Sequence, residues 1–504
     1  MDVWHSRPLD VHRWSTHPEV NAFVEEVYDS LTDEQREAIK GKSNNRGRAS
    51  GEVHLKVLLV DLYVAWKTDP DLCIGVARGN SAYSVNSRYN ALHISSRIPK
   101  IVDALVENGF LDFTQGSYHR DGTVGRNRTS RIRPTPKLVK IFSKASIEPY
   151  QIDLHHKQEC IILTSKDKVP DSDEEVKRTT IEYQDTPEII EMRERLQRYN
   201  EFLSETYIDI PSLTDPWITR TMPDGHVQRI PTGQTNKFVR RIFSRKSWQM
   251  NGRFYGGWWQ QIGKDLRKKI AINNEPTVEI DYKGLHVSIL SALRGAPVKV
   301  QDRYKLKNHV LPDFTIGQQR EIVKSLVLTA INAKSHKAAY DAFRDGQPNG
   351  SLEKRLKNLE LELLLESFVD ENPHLIDDLC SDKGIKLMYL DSQITDRIIS
   401  EFIEHECPIL SVHDSYIVST YSVDNLSKAM SNASKEIVGQ DLSFEQSVPG
   451  YNDVLRMRKD DRDAYLDVFS EVVAIKDRTQ EYQERLLSFM DYRKNNFPHT
   501  YWLG

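Results

Sequence analysis

Two acids set in apolar surroundings are the first candidates for chemistry in this 504-residue chain. Asp281 closes an alternating run that includes Val278 and Ile280. Directly after it, Leu285, Ile289, Leu290 and Leu293 recur at helical spacing. Asp414 sits in His413-Asp414-Ser415, between the apolar runs Ile409–Val412 and Tyr416–Val418. The first pattern predicts an acid at the end of a strand, just before a helix. The second predicts a hairpin with an acid at its turn. Taken singly, Asp281 could cap the helix and Asp414 could be a solvated turn residue. Taken together, two carboxylates from separate strands can grip a pair of Mg2+ ions about 4 Å apart, the arrangement that activates an attacking hydroxyl and steadies a leaving pyrophosphate oxygen.

Positive charge lies between them. In QREIVKSLVLTAINAKS, the residues Arg320, Lys324, Leu328 and Asn332 are spaced by four and share one helix face. Arg320 and Lys324 could meet triphosphate oxygens while Leu328 and Asn332 approach base and sugar. The plain alternative is a solvated charged face.

These groups need elements to hold them. A chain of this length predicts two to four structural units. At 38% hydrophobic and 28% charged residues it can bury a sizeable core. No apolar run approaches the roughly 18 residues that would cross a bilayer, and the four cysteines form no CxxC pair. A soluble, cytoplasmic protein without membrane partners is expected. The net charge of −4 hides two basic regions. Val85–Lys144 holds eleven Lys/Arg against four Asp/Glu, and Lys237–Ile270 holds ten against Asp265 alone. Both are candidate polyanion contacts.

The order of elements in the first basic region is informative. Residues 1–50 read as an N-terminal helical segment to about Ile39. A helix over His54–Lys67 follows, then a second, capped by Ser95 or Ser96, with Ile98, Ile101, Val102, Leu105 and Val106 on one stripe. Strand-like runs over Phe110–Thr114 and Arg131–Phe142 flank an Arg- and Gly-rich loop. Helix, helix and a basic-tipped hairpin predict a winged helix-turn-helix over 51–145 that binds duplex DNA. Arg97 and Lys100 fall off the apolar stripe, and Arg120, Arg126, Arg128 and Arg131 sit on or near the wing. A winged helix used for protein contacts is the alternative. Beyond it the pattern predicts a linker over 146–186, a helical thumb-like region over 187–250 with loop over 210–235, a catalytic domain over 251–460, and a helical tail over 461–504. No set of spaced acids in 146–236 suggests a proofreading exonuclease.

The catalytic stretch resembles known enzymes. DYKGLHVSIL is similar to motif A of family A DNA polymerases, DYSQIELR. The R-x-x-x-K-x-x-x-L-x-x-x-N helix resembles their motif B, and VHDSYIV resembles motif C, VHDE, while its HDS is closer to single-subunit, phage-type RNA polymerases. DSQITDRII and NGRFYGGWWQQ resemble two duplex-contacting segments of the same superfamily. The five elements cover about residues 250–420 in the family's order. The resemblance implies an α+β fold, a right-hand palm with an antiparallel sheet and helical fingers. It implies Asp281 and Asp414 as ligands of two Mg2+ ions, with Mn2+ as a substitute. Arg320, Lys324, Leu328, Asn332, Tyr282 and His286 would bind the nucleoside triphosphate. Arg253, Gln393 and His413 would contact the template–primer duplex. Three positions depart from the family. His286 stands where family A DNA polymerases carry a Glu that blocks the ribose 2′-OH, Asn332 where Tyr is usual, and Ser415 where motif C has Glu. The expectation is a DNA polymerase of a phage or mobile element that prefers deoxynucleotides, with Asn332 hydrogen-bonding His286. The alternatives are a primase or single-subunit RNA polymerase, and a catalytically inactive DNA-binding initiator or transcription regulator.

Overall fold

The computed structural model describes residues 5–40, 49–79, 82–117, 128–165, 179–222, 225, 227–298, 302–446, 458–459, 462–463, 475 and 477–497. The chain forms two compact units. One comprises Met1–Cys160, Leu203–Phe238 and Asp477–Gly504; the other comprises Ile161–Phe202 and Val239–Lys476. The fold mixes helices with several small sheets.

The first unit is built on the helix Gly51–Thr68, capped by the Ser50 hydroxyl and buried on nearly every side. Phe23, Tyr63 and Phe142 meet there with ring centres 5.2 to 5.3 Å apart. Its Asp61 is fully buried, which is tolerable because Arg7 and Arg13 both reach it. The next helix, Ile98–Glu107, starts later than its serines suggest. Pro99 occupies the first turn, and Ser95 is tied to His54 instead. The strands Leu111–Thr114 and Ser130–Pro134 then pair antiparallel, and Cys73–Val76 joins the second of them.

Several expected elements differ. The strand expected to run to Phe142 stops at Pro134, because Pro136 begins a helix, Pro136–Phe142. Residues 5–17 are not helical and include the strand Ser6–Pro8, which pairs parallel with Cys73–Val76. The 210–235 stretch is not loop throughout; Trp217–Thr221 and Val227–Pro231 form a hairpin. The 146–186 stretch is not simply a linker, since its apolar run Ile161–Ser165 is a strand, parallel to Val239–Ser244. The 187–250 region is helical only over Pro187–Glu205 and carries strands after it. In the tail, Gln480–Asn496 is a helix and buries Tyr482 and Phe489; the helix expected around 464–473 lies outside the described residues.

The second unit carries an antiparallel sheet. Ile409–Val412, Ser415–Ser419 and Glu275–Tyr282 lie side by side in that order. The far edge of Glu275–Tyr282 pairs with Ala271–Ile272 and with Phe444–Gln446. Every residue of the 409–412 and 415–419 strands is buried. A long helix, Gly384–Glu404, packs against the ten-residue strand Ser247–Gly256.

Candidate functional site

Asp281 is the next-to-last residue of its strand. Ser415 lies opposite it on one side and Glu445 on the other. The Tyr282 amide donates to the Asp414 carbonyl at 3.2 Å, so the two acid-bearing segments meet at one sheet end. His413-Asp414 is the two-residue turn of a tight hairpin, with His413 at φ 59°. The helix Leu285–Leu293 follows at once. Gly284 makes that turn possible: its φ is 53°, and a Cβ there would sit 3.2 Å from the Tyr304 ring.

A cavity of about 500 Å3 opens over these acids. Asp281, Tyr282, His286, Arg253, His413 and Asp414 line it, and so do Arg320, Lys324, Leu328 and Asn332. The last four come from the helix Ile316–Asn332, which buries Ile322, Val323, Leu326, Val327, Ala330 and Ile331 on its other side. Apolar and polar residues thus divide that helix as their spacing predicts. The structure therefore gathers ten of the expected residues around one space. Gln393 is half-buried on the 384–404 helix and does not line the cavity.

The electrostatics of the acids are unusual. Burial, then repulsion from Asp414 and Glu279, pushes the Asp281 carboxyl up to about 7, against partial relief from Lys264 and Lys324. Its Oδ1 is buried and accepts no hydrogen bond among the described residues. Two oxygen-donor acids that repel each other, one with an unsatisfied oxygen, fit a hard divalent cation. Among the described residues no group of three or more His, Cys, Asp or Glu is placed to hold a metal. A Mg2+ ion here would draw its remaining oxygens from water and phosphate, as Mg2+ usually does.

Two of the cations are already engaged. Arg320 donates from Nε to Asp302 at 2.6 Å and also bonds Glu321. Arg253, expected at a duplex, turns inward: its Nε donates to Asp391 at 2.5 Å and its Nη2 lies 3.2 Å from His286 Nε2. His286 is therefore held by Arg253 and not by Asn332, whose amide donates to the Leu328 carbonyl. Burial, then Arg253, lowers the His286 pKa to about 3. His413 is likewise lowered by burial, and its ring stands edge-on to Tyr255 at 5.6 Å. Ser415 donates to Glu279 at 2.6 Å, and Glu279 is gripped by Arg267.

Sequence reasoning missed Glu279, Asp302, Tyr304, Asp391 and Glu445. Two of them carried a signal. Glu279 shares a strand face with Asp281 two residues on. Asp391 interrupts the apolar stripe Leu387, Ile394, Ile398, where an acid needs a partner. The second basic region is also less free than its count suggests. Lys237 and Arg241 are buried, and Arg241, Arg245, Arg253 and Arg267 pair with Asp396, Asp382, Asp391 and Glu279.

In the first unit, Lys100 is exposed and Arg97 half-buried. Arg128 bonds Ser117, while Arg131 donates to Ser6 and to the Thr129 carbonyl, which braces the hairpin base. Arg120 and Arg126 lie outside the described residues. No protein-family model matches this sequence, and neither does any curated protein.

Proposed function

We propose that the second unit is the palm and fingers of a nucleic-acid polymerase that performs templated nucleotidyl transfer from nucleoside triphosphates. One observation carries this reading. Asp281 and Asp414 stand together at one wall of a cavity, and Arg320 and Lys324 line the same cavity from a single helix face. Paired divalent cations at the acids would supply an activated 3′-oxygen and stabilise the departing pyrophosphate. The chain's own residues do the rest. Arg320 exchanges Asp302 for phosphate oxygens, Lys324 adds charge beside Asp281, and Leu328 and Asn332 bound the space left for base and sugar.

The first unit, on this reading, is a winged helix that brings duplex DNA to the enzyme. Its helix–helix–hairpin order and the exposed Lys100 support this. Deoxynucleotides are the preferred substrate, because a bulky neutral His286 fills the place where a 2′-hydroxyl would lie. Ser415 supports a second reading, in which ribonucleotides are used by a primase or single-subunit RNA polymerase.

Primer extension with Mg2+, run once with the four dNTPs and once with the four NTPs, tests both. Extension that Asp281→Asn and Asp414→Asn each abolish is expected. Absence of incorporation with either nucleotide set would leave an inactive DNA-binding initiator as the better account.

A further inference from the structure

His286 lies in the cavity wall five residues after Asp281, and its chemistry is set by a neighbour. Arg253 Nη2 is 3.2 Å from His286 Nε2. A guanidinium has donors and no acceptor. Nε2 must therefore accept, and the ring proton belongs on Nδ1. Arg253 has little freedom to do otherwise. Its Nε donates to Asp391, a fully buried carboxylate, and its own side chain is mostly enclosed. Asp391 is not part of the cavity wall; its hydrogen bond toward the wall is the one from Arg253.

We infer that Arg253 is a specificity-determining residue and Asp391 a positioning residue for the sugar of the incoming nucleotide. They hold His286 with Nε2 already occupied, so that the ring excludes a 2′-hydroxyl by volume and cannot accept a hydrogen bond from it. The inference rests on the nucleotidyl-transfer reading of this site. Its physical core is an asymmetry. A site that only lacks room discriminates modestly. A site with a free, correctly aimed acceptor would favour the hydroxyl-bearing sugar. Arg253 removes that acceptor. The low pKa of His286 agrees: burial first, and then the Arg253 guanidinium, keep the ring neutral across the working range.

The test is a double-mutant cycle in the full chain, read as the ratio of kcat/KM for a dNTP to that for the matching NTP. Asp391→Asn should lower the ratio roughly tenfold, about what one net hydrogen bond is worth. In the His286→Ala background the same change should leave the ratio unmoved, because its effect passes through the ring. Equal effects in both backgrounds would overturn the inference, as would an unchanged ratio in Asp391→Asn alone. Arg253→Lys, which keeps a donor but loses the two-pronged grip, should fall between. A second readout needs no catalysis. 15N NMR of histidine-labelled protein, with His286→Gln to assign the signal, should show Nδ1 protonated and Nε2 accepting. A ring protonated on Nε2 would overturn the inference whether or not the protein incorporates nucleotides. Loss of incorporation with the expected tautomer would fault the polymerase reading and, with it, the sugar role.

Discussion

Asp281→Asn should make the metal-free protein more stable at pH 8, although it removes the residue on which the proposed chemistry turns. The Asp281 carboxyl is raised from 3.8 to about 7, chiefly by burial and then by Asp414 and Glu279. Between those values the folded chain keeps a proton that the unfolded chain has released. Stability therefore falls as pH rises through that window and stays lower above it. Three units at about 1.4 kcal/mol each give about 4 kcal/mol as an upper bound. The side chain is partly exposed, so solvent screening brings the expected gain nearer 2 kcal/mol. Asp391, also pushed up to about 7 by burial, contributes the same slope to both proteins and cancels in the comparison. Because a chain of two units need not unfold in one step, the assay should be local. Hydrogen–deuterium exchange of peptides from 275–282, with chelator present, reports opening of that strand. Protection in Asp281→Asn should exceed wild type at pH 8 after correction for intrinsic rates, and the two should converge near pH 4. Added Mg2+ should slow exchange in wild type far more than in the variant. A variant less protected at pH 8, or a difference that ignores pH, would refute the reasoning.

Three further outcomes are expected. Asp302→Asn should lower the KM for nucleotide several-fold by releasing Arg320 from its charged partner, and steady-state incorporation kinetics measure it; a raised KM would mean that Asp302 only holds Arg320 in place. Gly257→Ala should cost about 2 to 4 kcal/mol, because φ is 74° and the new Cβ would lie 2.4 Å from the Trp259 ring; chemical denaturation followed by exchange in 247–261 checks it. Replacing Lys100 and Arg128 with Ala in the full chain should weaken duplex DNA binding and flatten the log–log salt dependence by about one unit per lost phosphate contact, read by fluorescence anisotropy; an unchanged slope would point away from a winged-helix DNA contact.

The site was more legible in the sequence than its surroundings were. Asp281, Asp414 and the Arg320–Asn332 face follow from period and spacing. Strand alternation, a two-residue turn and a four-residue repeat are local, and each was found where its pattern placed it. The partners of the site's cations were not legible. Asp391 lies 138 residues from Arg253, and Glu279 reaches Arg267 and Ser415 from different directions. Nothing local in a run of arginines tells which will be neutralised inside. Element boundaries slipped for a related reason. Arg131–Phe142 has the apolar content of a long strand, yet Pro136 suits a helix start, and the helix it opens buries Leu138, Ile141 and Phe142 in the core. Ser95 looked like a cap until its hydroxyl was claimed by His54, 41 residues away.

The double pairing of the strand that bears Asp281 has a mechanical consequence. A residue flanked by hydrogen-bonded neighbours on both edges cannot shift without tearing ladder bonds, so the main chain at Asp281 is fixed against the hairpin that carries Asp414. The 316–332 helix is held differently: side chains pack one face, and its Ala330 and Ile331 carbonyls accept from the Cys380 and Lys383 amides. Tilting it strains contacts without tearing a sheet. Main-chain ladders thus set the acid side of the cavity, while helix packing and a tethered C-terminal turn set the Arg320 side.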